Sequence, residues 1–282
     1  MEKKLVLRGV LAGGLAGLLA FVFARIFAEP QIQKAIDYEY GRDAAQAALD
    51  KAAGTALPAP EHEIFSRTLQ SNLGVGLGMI VFGIAMGALF AVVYSICLGR
   101  AGNLGARPLA LLVAGGGFLG VYLVPLLKYP ANPPSIGHPE TIKARSLVYL
   151  IMVVGSILFL SLAVVLGRKL APRFGNWTAS LLAGGAFVVA VGILMLILPA
   201  LGQLPVNKNN YGNYATETPQ PLEDANGNIV YPGFPADVLF YFRIYSAGAQ
   251  LIMWAAIGLV FGTLAERVLS DRIVQVSHPL RV

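Results

Sequence analysis

Six apolar runs, at 5–28, 73–98, 109–127, 147–166, 177–198 and 244–269, constrain this chain more than anything else in it. Each reaches the roughly 20 residues that a helix rising about 1.5 Å per residue needs to cross about 30 Å of hydrocarbon. The middles of the runs carry no charge. A soluble fold of 282 residues must face water and would interrupt such runs far more often. Only 13% of the residues are charged, against about 25% in ordinary soluble domains. In lipid every backbone polar group needs an internal partner, which a helix supplies within its own segment. The expected fold is therefore all-α: a polytopic integral membrane helical bundle of about six transmembrane helices, forming a single membrane domain over 1–282.

The charges give this bundle an orientation. Lys3, Lys4 and Arg8 open the first run, and Arg100 and Arg107 lie between the second and third. Arg168, Lys169 and Arg173 separate the fourth and fifth, and Arg267, Arg272 and Arg281 close the chain. Those segments hold only Glu2, Glu266 and Asp271 as acids, so twelve of the fifteen carboxylates fall on the other side. A Lys/Arg excess in short connections marks the cytoplasmic face, which places both termini in the cytoplasm and the connections 29–72, 128–146 and 199–243 outside. The net charge of +6 is thus a topology signal. With no groove-reading motif beside it, nucleic acid is not an expected partner, whereas membrane lipid is.

Glycines at spacings of four recur through the runs: Gly9, Gly13 and Gly17, then Gly74/Gly78, Gly83/Gly87, Gly116/Gly120 and Gly258/Gly262. In lipid such stripes let helix backbones approach closely. The first run reads as a retained helix on this ground, although its basic start and Val22-Phe23-Ala24 also fit a cleaved signal peptide. Either outcome orients the other five runs alike. Between the first two runs, 31–53 is helix-prone, Pro30 is expected to stop the first helix, and Ser66 is a possible cap for the next. Asn226-Gly227 signals a hairpin turn within the longest connection.

Few residues carry recognisable chemistry. There is no G-x-x-x-x-G-K-[ST] phosphate loop, no H-E-x-x-H and no Ser/His/Asp arrangement, so no enzyme and no resident cofactor is expected. The single cysteine, Cys97, excludes an internal disulfide and a Cys-based metal site. Glu61-His62-Glu63 is the most metal-like cluster, offering N and O ligands suited to first-row divalent ions, with His138 a second candidate. His278 lies in the cytoplasmic tail. Asp224, Asn226 and Asn228 superficially suggest a calcium loop, but the glycine is misplaced and the closing glutamate is missing.

A second set of candidates lies near the outer ends of the runs. Arg25 and Glu29 stand one helical turn apart and read as a snorkelling arginine with a neighbouring carboxylate, or as an ion gate. Arg243 could pair with Asp237, itself a possible helix cap. Lys128 and Tyr129 are either interfacial anchors or part of a pathway mouth. They lead into Pro130-Ala131-Asn132-Pro133-Pro134, whose prolines exclude a continuing helix and in which Asn132 offers a carbonyl oxygen. Arg25, Glu29, Lys128, Tyr129, Asn132, Asp237 and Arg243 together form the expected entrance.

The chain resembles the CbtA-type probable cobalt transporter subunits of bacteria. The resemblance rests on Leu7-Arg8-Gly9, Phe23-Ala24-Arg25, Glu29-Pro30, Ser66-Arg67, Val121-Tyr122-Leu123-Val124-Pro125 running into Lys128-Tyr129-Pro130-Ala131-Asn132-Pro133-Pro134, Thr141-Ile142, Arg145, Gly233-Phe234-Pro235-Ala236-Asp237 and Phe242-Arg243. It covers nearly the whole chain, while about 206–231 looks like an insertion relative to the compact family pattern. The resemblance implies a multi-pass protein of the bacterial inner membrane that imports Co²⁺ for corrin and cobalamin biosynthesis. It also implies a small single-span, histidine-bearing partner of the CbtB type. Three histidines and one cysteine are few for a self-contained metal site, and such a partner would fill that gap. Cobalt is then transported substrate, captured outside by the loop carboxylates and His62. The rival expectation is a non-transporting scaffold of a transport complex, which would explain why no carboxylate or histidine stands midway along a run.

Overall fold

The computed structural model describes residues 2–55, 66–102, 104–212 and 217–277, with side chains described up to Ser270. Seven helices and one short hairpin are assigned here: α1 (Glu2–Phe27), α2 (Glu29–Ala52), α3 (Arg67–Cys97), α4 (Ala106–Lys128), α5 (Ile142–Ile197), α6 (Pro205–Tyr211) and α7 (Ala236–Ser277). Two strands, β1 (Leu222–Glu223) and β2 (Ile229–Tyr231), pair antiparallel. Five of the described helical stretches are long and apolar enough to cross a membrane. The two apolar runs expected at 147–166 and 177–198 both lie in α5. The two runs are joined through a kink near Pro172 and Gly175. Within α5 the backbone leaves helical geometry at Gly175, whose φ of 74° and ψ of 162° divide it into two apolar arms. That backbone is open to glycine because it has no Cβ to collide with its own carbonyl.

The chain divides into two compact units. One comprises Met1–Glu29, Glu63–Leu119 and Tyr245–Val282, and the other Pro30–His62 and Gly120–Ile244. In the first unit, α1 lies against α3 with almost nothing between the backbones. A Cβ added to Gly83 would stand 2.8 Å from the Gly17 Cα, and one added to Gly13 would stand 2.9 Å from the Gly87 Cα. Gly9 and Gly17 face Gly87 and Met79–Ile80 in the same way. The stripe does not extend to Gly78, which lies on an exposed face of α3 with open space above it; Gly76, under the Phe21 ring, takes the packing role instead. Elsewhere in this unit Phe261 is fully buried and receives the edges of Phe90 and Tyr94 at centroid distances of 5.1 and 4.9 Å. Gly258 and Gly262 admit Ala114 and Ala110. At one end, Arg8 donates to Leu264 O at 2.7 Å, and Arg107 and Glu266 form a surface ion pair at 2.6 Å.

The helix-prone stretch expected after the first run forms α2, so most of the first long connection is helical. Its Tyr38 rings against Tyr231 and Phe234 and donates to Pro232 O at 2.9 Å, while Tyr231 donates back to Tyr38 O at 3.2 Å. Burial raises the Tyr38 phenol above its ordinary range, and Arg42 acts against that shift. The hairpin on which these tyrosines close has the expected glycine in its turn, Gly227, at φ 81°. Asp224 Oδ1 accepts from the backbone N–H of Asn226 and Asn228 at 2.8 and 2.9 Å. This is a side-chain-closed turn, with the carboxylate serving the loop's own backbone.

Candidate functional site

The proline-rich exit from α4 leaves the helix as expected. Tyr129 caps α4 with φ −128°, and the segment that follows is held by side chains. Tyr129, 4% exposed, donates its hydroxyl to Pro199 O at 2.8 Å. Burial raises the Tyr129 phenol above its ordinary value, so it stays protonated and a donor. Lys128 Nζ stands 6.0 Å from the centroid of the Tyr129 ring. From the start of α7, Arg243 reaches this segment and donates through Nε to Ala131 O at 3.0 Å and through Nη2 to Asn132 Oδ1 at 2.9 Å. Asn132 therefore spends its carbonyl oxygen on a guanidinium. The expected Arg243–Asp237 pair does not form among the described ion pairs, which are Arg67–Glu29, Arg107–Glu266 and Arg145–Glu217. Six positions along one helix are roughly 240° of azimuth, which turns the two side chains apart. Asp237 is exposed in the first turn of α7, where a carboxylate is favoured by the helix dipole.

Arg25 and Glu29 likewise part company. α1 ends at Phe27 and Glu29 opens α2, so the continuous helical turn that would bring them together is broken. Glu29, 7% exposed, forms an ion pair with Arg67 at the start of α3. Arg25 is exposed and donates to Asn72 Oδ1 at 2.9 Å. Ser66 is the cap anticipated for α3, its hydroxyl accepting from Leu69 N. Just beyond, 70–74 widens into a π turn that carries Asn72.

Sequence reasoning missed a buried polar chain in the second unit. Glu217, 1% exposed, has Oε2 3.0 Å from Arg145 Nη1 and accepts from Asn207 Nδ2 through Oε1. Asn207 also donates to Leu201 O at 2.7 Å and accepts from His138 Nδ1 at 2.7 Å. Since the amide oxygen can only accept, His138 Nδ1 is the donor in this bond. The Tyr211 ring stacks on the imidazole at 3.5 Å, and its hydroxyl donates to Glu140 at 3.1 Å. Asn207 and Glu217 belong to the 206–231 stretch that looked like an insertion. Of their partners, Arg145 is among the residues that carry the resemblance and His138 stood only as a metal candidate, so no spacing in the sequence flagged the chain.

Beside this chain lies a cavity of about 640 Å³ in the second unit, walled by the end of α4, the proline segment and the start of α5. Tyr122, Tyr129, Asn132, Arg145, Ser146 and Tyr149 supply its polar groups. Two entrance candidates, Tyr129 and Asn132, line it, and Arg243 stands directly behind Asn132. Arg25 and Glu29 belong to the other unit. Among the described residues no three His, Cys, Asp or Glu side chains are grouped to hold a metal. Glu61, His62 and Glu63 lie outside the described residues, as does His278.

No curated protein and no solved structure matches the chain. A family model does: that of CbtA, described as a probable cobalt transporter subunit, over residues 2–266. With long apolar helices as its framework, the chain belongs to the CbtA family of multi-pass membrane proteins, the probable cobalt transporter subunits.

Proposed function

We propose that this chain is the multi-span subunit of a bacterial inner-membrane cobalt importer. It would work with a small single-span, histidine-bearing subunit and supply cobalt to corrin and cobalamin biosynthesis. The observation that carries the reading is the family match, which spans 2–266 of the 282 residues and names a subunit. A subunit implies a complex, and three histidines and one cysteine in the whole sequence leave high-affinity soft or imidazole ligation to the partner. The chain then contributes the passage and performs no bond chemistry, so it is neither an enzyme nor the holder of a resident cofactor. Arg25, Glu29, Lys128, Tyr129, Asn132, Asp237 and Arg243 shape the outer entrance in this reading, and Glu61, His62, Glu63 and His138 are capture ligands.

Uptake of radioactive cobalt tests it. Cells making this chain with its small partner should accumulate cobalt, and cells lacking either should not. Undiminished uptake in a deletion strain under cobalt limitation would leave the chain a scaffold.

A further inference from the structure

The cavity of the second unit has a chemistry at odds with a bare divalent cation. Its volume of about 640 Å³ falls inside the roughly 300–1,000 Å³ of small-molecule sites. No Asp, Glu, His or Cys is among its lining residues; the polar wall is three phenols, an amide, a hydroxyl and a guanidinium, and the remainder is aliphatic or proline. Neutral phenols and apolar carbon cannot replace the hydration shell of a divalent ion, whose protein ligands are carboxylate, imidazole or thiolate.

The charge balance points the same way. Arg145 lines the wall and is neutralised from behind by Glu217, whose side chain is fully buried. Among the described residues Arg243 is bound through the neutral oxygens of Ala131 and Asn132, both of which line the cavity. Among the described residues no carboxylate forms an ion pair with Arg243. One guanidinium charge thus stands without an ion-pair partner among the described residues, next to the cavity wall. Its donors are spent on the wall, and its charge acts through space, disfavouring a dication and favouring an anionic group in the cavity.

Resting on the cobalt-transport reading above, we propose that this cavity binds cobalt as a complex with a small carboxylate-bearing chelator, neutral or anionic overall, and does not bind the aqua ion. The organic shell would carry the metal's ligands, and Ser146 together with the phenol oxygens, as acceptors, would hydrogen-bond its periphery. A bulky side chain at Ser146 or Leu150, both exposed at the wall, would close the space without touching the buried Glu217 ion pair.

Equilibrium dialysis of the purified full chain in detergent decides the matter, with radioactive cobalt supplied as the Co(II) aqua ion, as its Co(II) citrate complex and as the exchange-inert Co(III)–EDTA complex. The citrate complex should be retained at least tenfold more tightly than the aqua ion. Ser146→Trp and Leu150→Trp should each abolish retention while the protein stays monodisperse with unchanged helical circular dichroism. Aqua cobalt binding as tightly as the complexes, no complex being retained, or both variants binding normally would each overturn the inference. So would a co-purifying phospholipid whose removal creates no cobalt-complex binding. Equal binding of the aqua ion alongside chain-dependent cellular uptake removes this inference alone; loss of chain-dependent uptake for every cobalt form removes the transport reading itself.

Discussion

The contact between α1 and α3 and the polar wall of the second unit are built by opposite means. The first removes side chains until carbonyl meets Cα, so its stability comes from close backbone packing along Gly9, Gly13, Gly17, Gly83 and Gly87. The second spends large polar side chains, Arg145, Asn207, Glu217 and Arg243, to hold non-helical backbone around a space. The first arrangement leaves no room for a ligand. The second leaves room, and its cost is a buried carboxylate that must keep its partners. In this chain, then, glycine marks rigidity and buried charge marks the candidate site.

The strongest way to break that contrast is Gly83→Leu. Its side chain has nowhere to go between α1 and α3, and the loss should reach or exceed the upper end of the about 1–3 kcal/mol typical of overpacking. Thermal unfolding in detergent and the yield of monodisperse protein would read it. Gly192→Ala, in open space on α5, should change stability by less than about 0.5 kcal/mol. Equal effects would show that glycine spacing is not what holds the first unit.

Next in size is Glu217→Ala. Removing one partner of a fully buried pair costs about 3–5 kcal/mol, and the 26% exposure of the Arg145 side chain lets water recover part of that. A loss of about 2–3 kcal/mol is expected by the same unfolding measurement. Replacing both residues, Arg145→Met with Glu217→Leu, should restore most of it. Arg67→Ala should cost less, about 1–2 kcal/mol, because the Glu29 side chain it leaves behind is 9% exposed whereas that of Glu217 is fully buried. Glu29→Ala should match it if the two act as one pair, which a double-mutant cycle would establish.

The smallest effect concerns the hairpin. Hydrogen bonds from the Asn228 side chain and backbone hold the Asp224 carboxyl below its usual range. A depressed folded-state value means the carboxylate stabilises the turn above the ordinary carboxylate pKa, and that this support is lost as pH falls through the folded value. Hydrogen-exchange protection at Asn226 and Asn228 should therefore decline only at strongly acidic pH. Asp224→Asn should flatten that dependence without altering the α1–α3 contact.

Features written in local spacing were legible before the structure. Run length gave the apolar helices, Ser66 the start of α3, and Asn226-Gly227 the hairpin, because each depends on residues a few positions apart. Glycine spacing found Gly13 and Gly83 but could not tell them from Gly78, since the same interval occurs on buried and exposed faces. Local pairings were misjudged wherever a distant residue competed. Glu29 lies one turn from Arg25 in sequence yet bonds Arg67, 38 residues away. Arg243 passes over Asp237 for Asn132. The buried Glu217 was illegible because its burial depends on Arg145 and Asn207, which nothing in the spacing connects to it.

Gly175 has a consequence for counting. At about 1.5 Å per residue, the 56 residues of α5 would reach roughly 84 Å if straight, nearly three thicknesses of a 30 Å hydrocarbon layer. If its two arms cross separately, the number of crossings is even and the chain begins and finishes in the same compartment. If only one arm crosses, the parity is odd and the ends are divided by the bilayer. A reporter fused at each end thus measures, at a distance, what one left-handed glycine does to the path of the whole polypeptide.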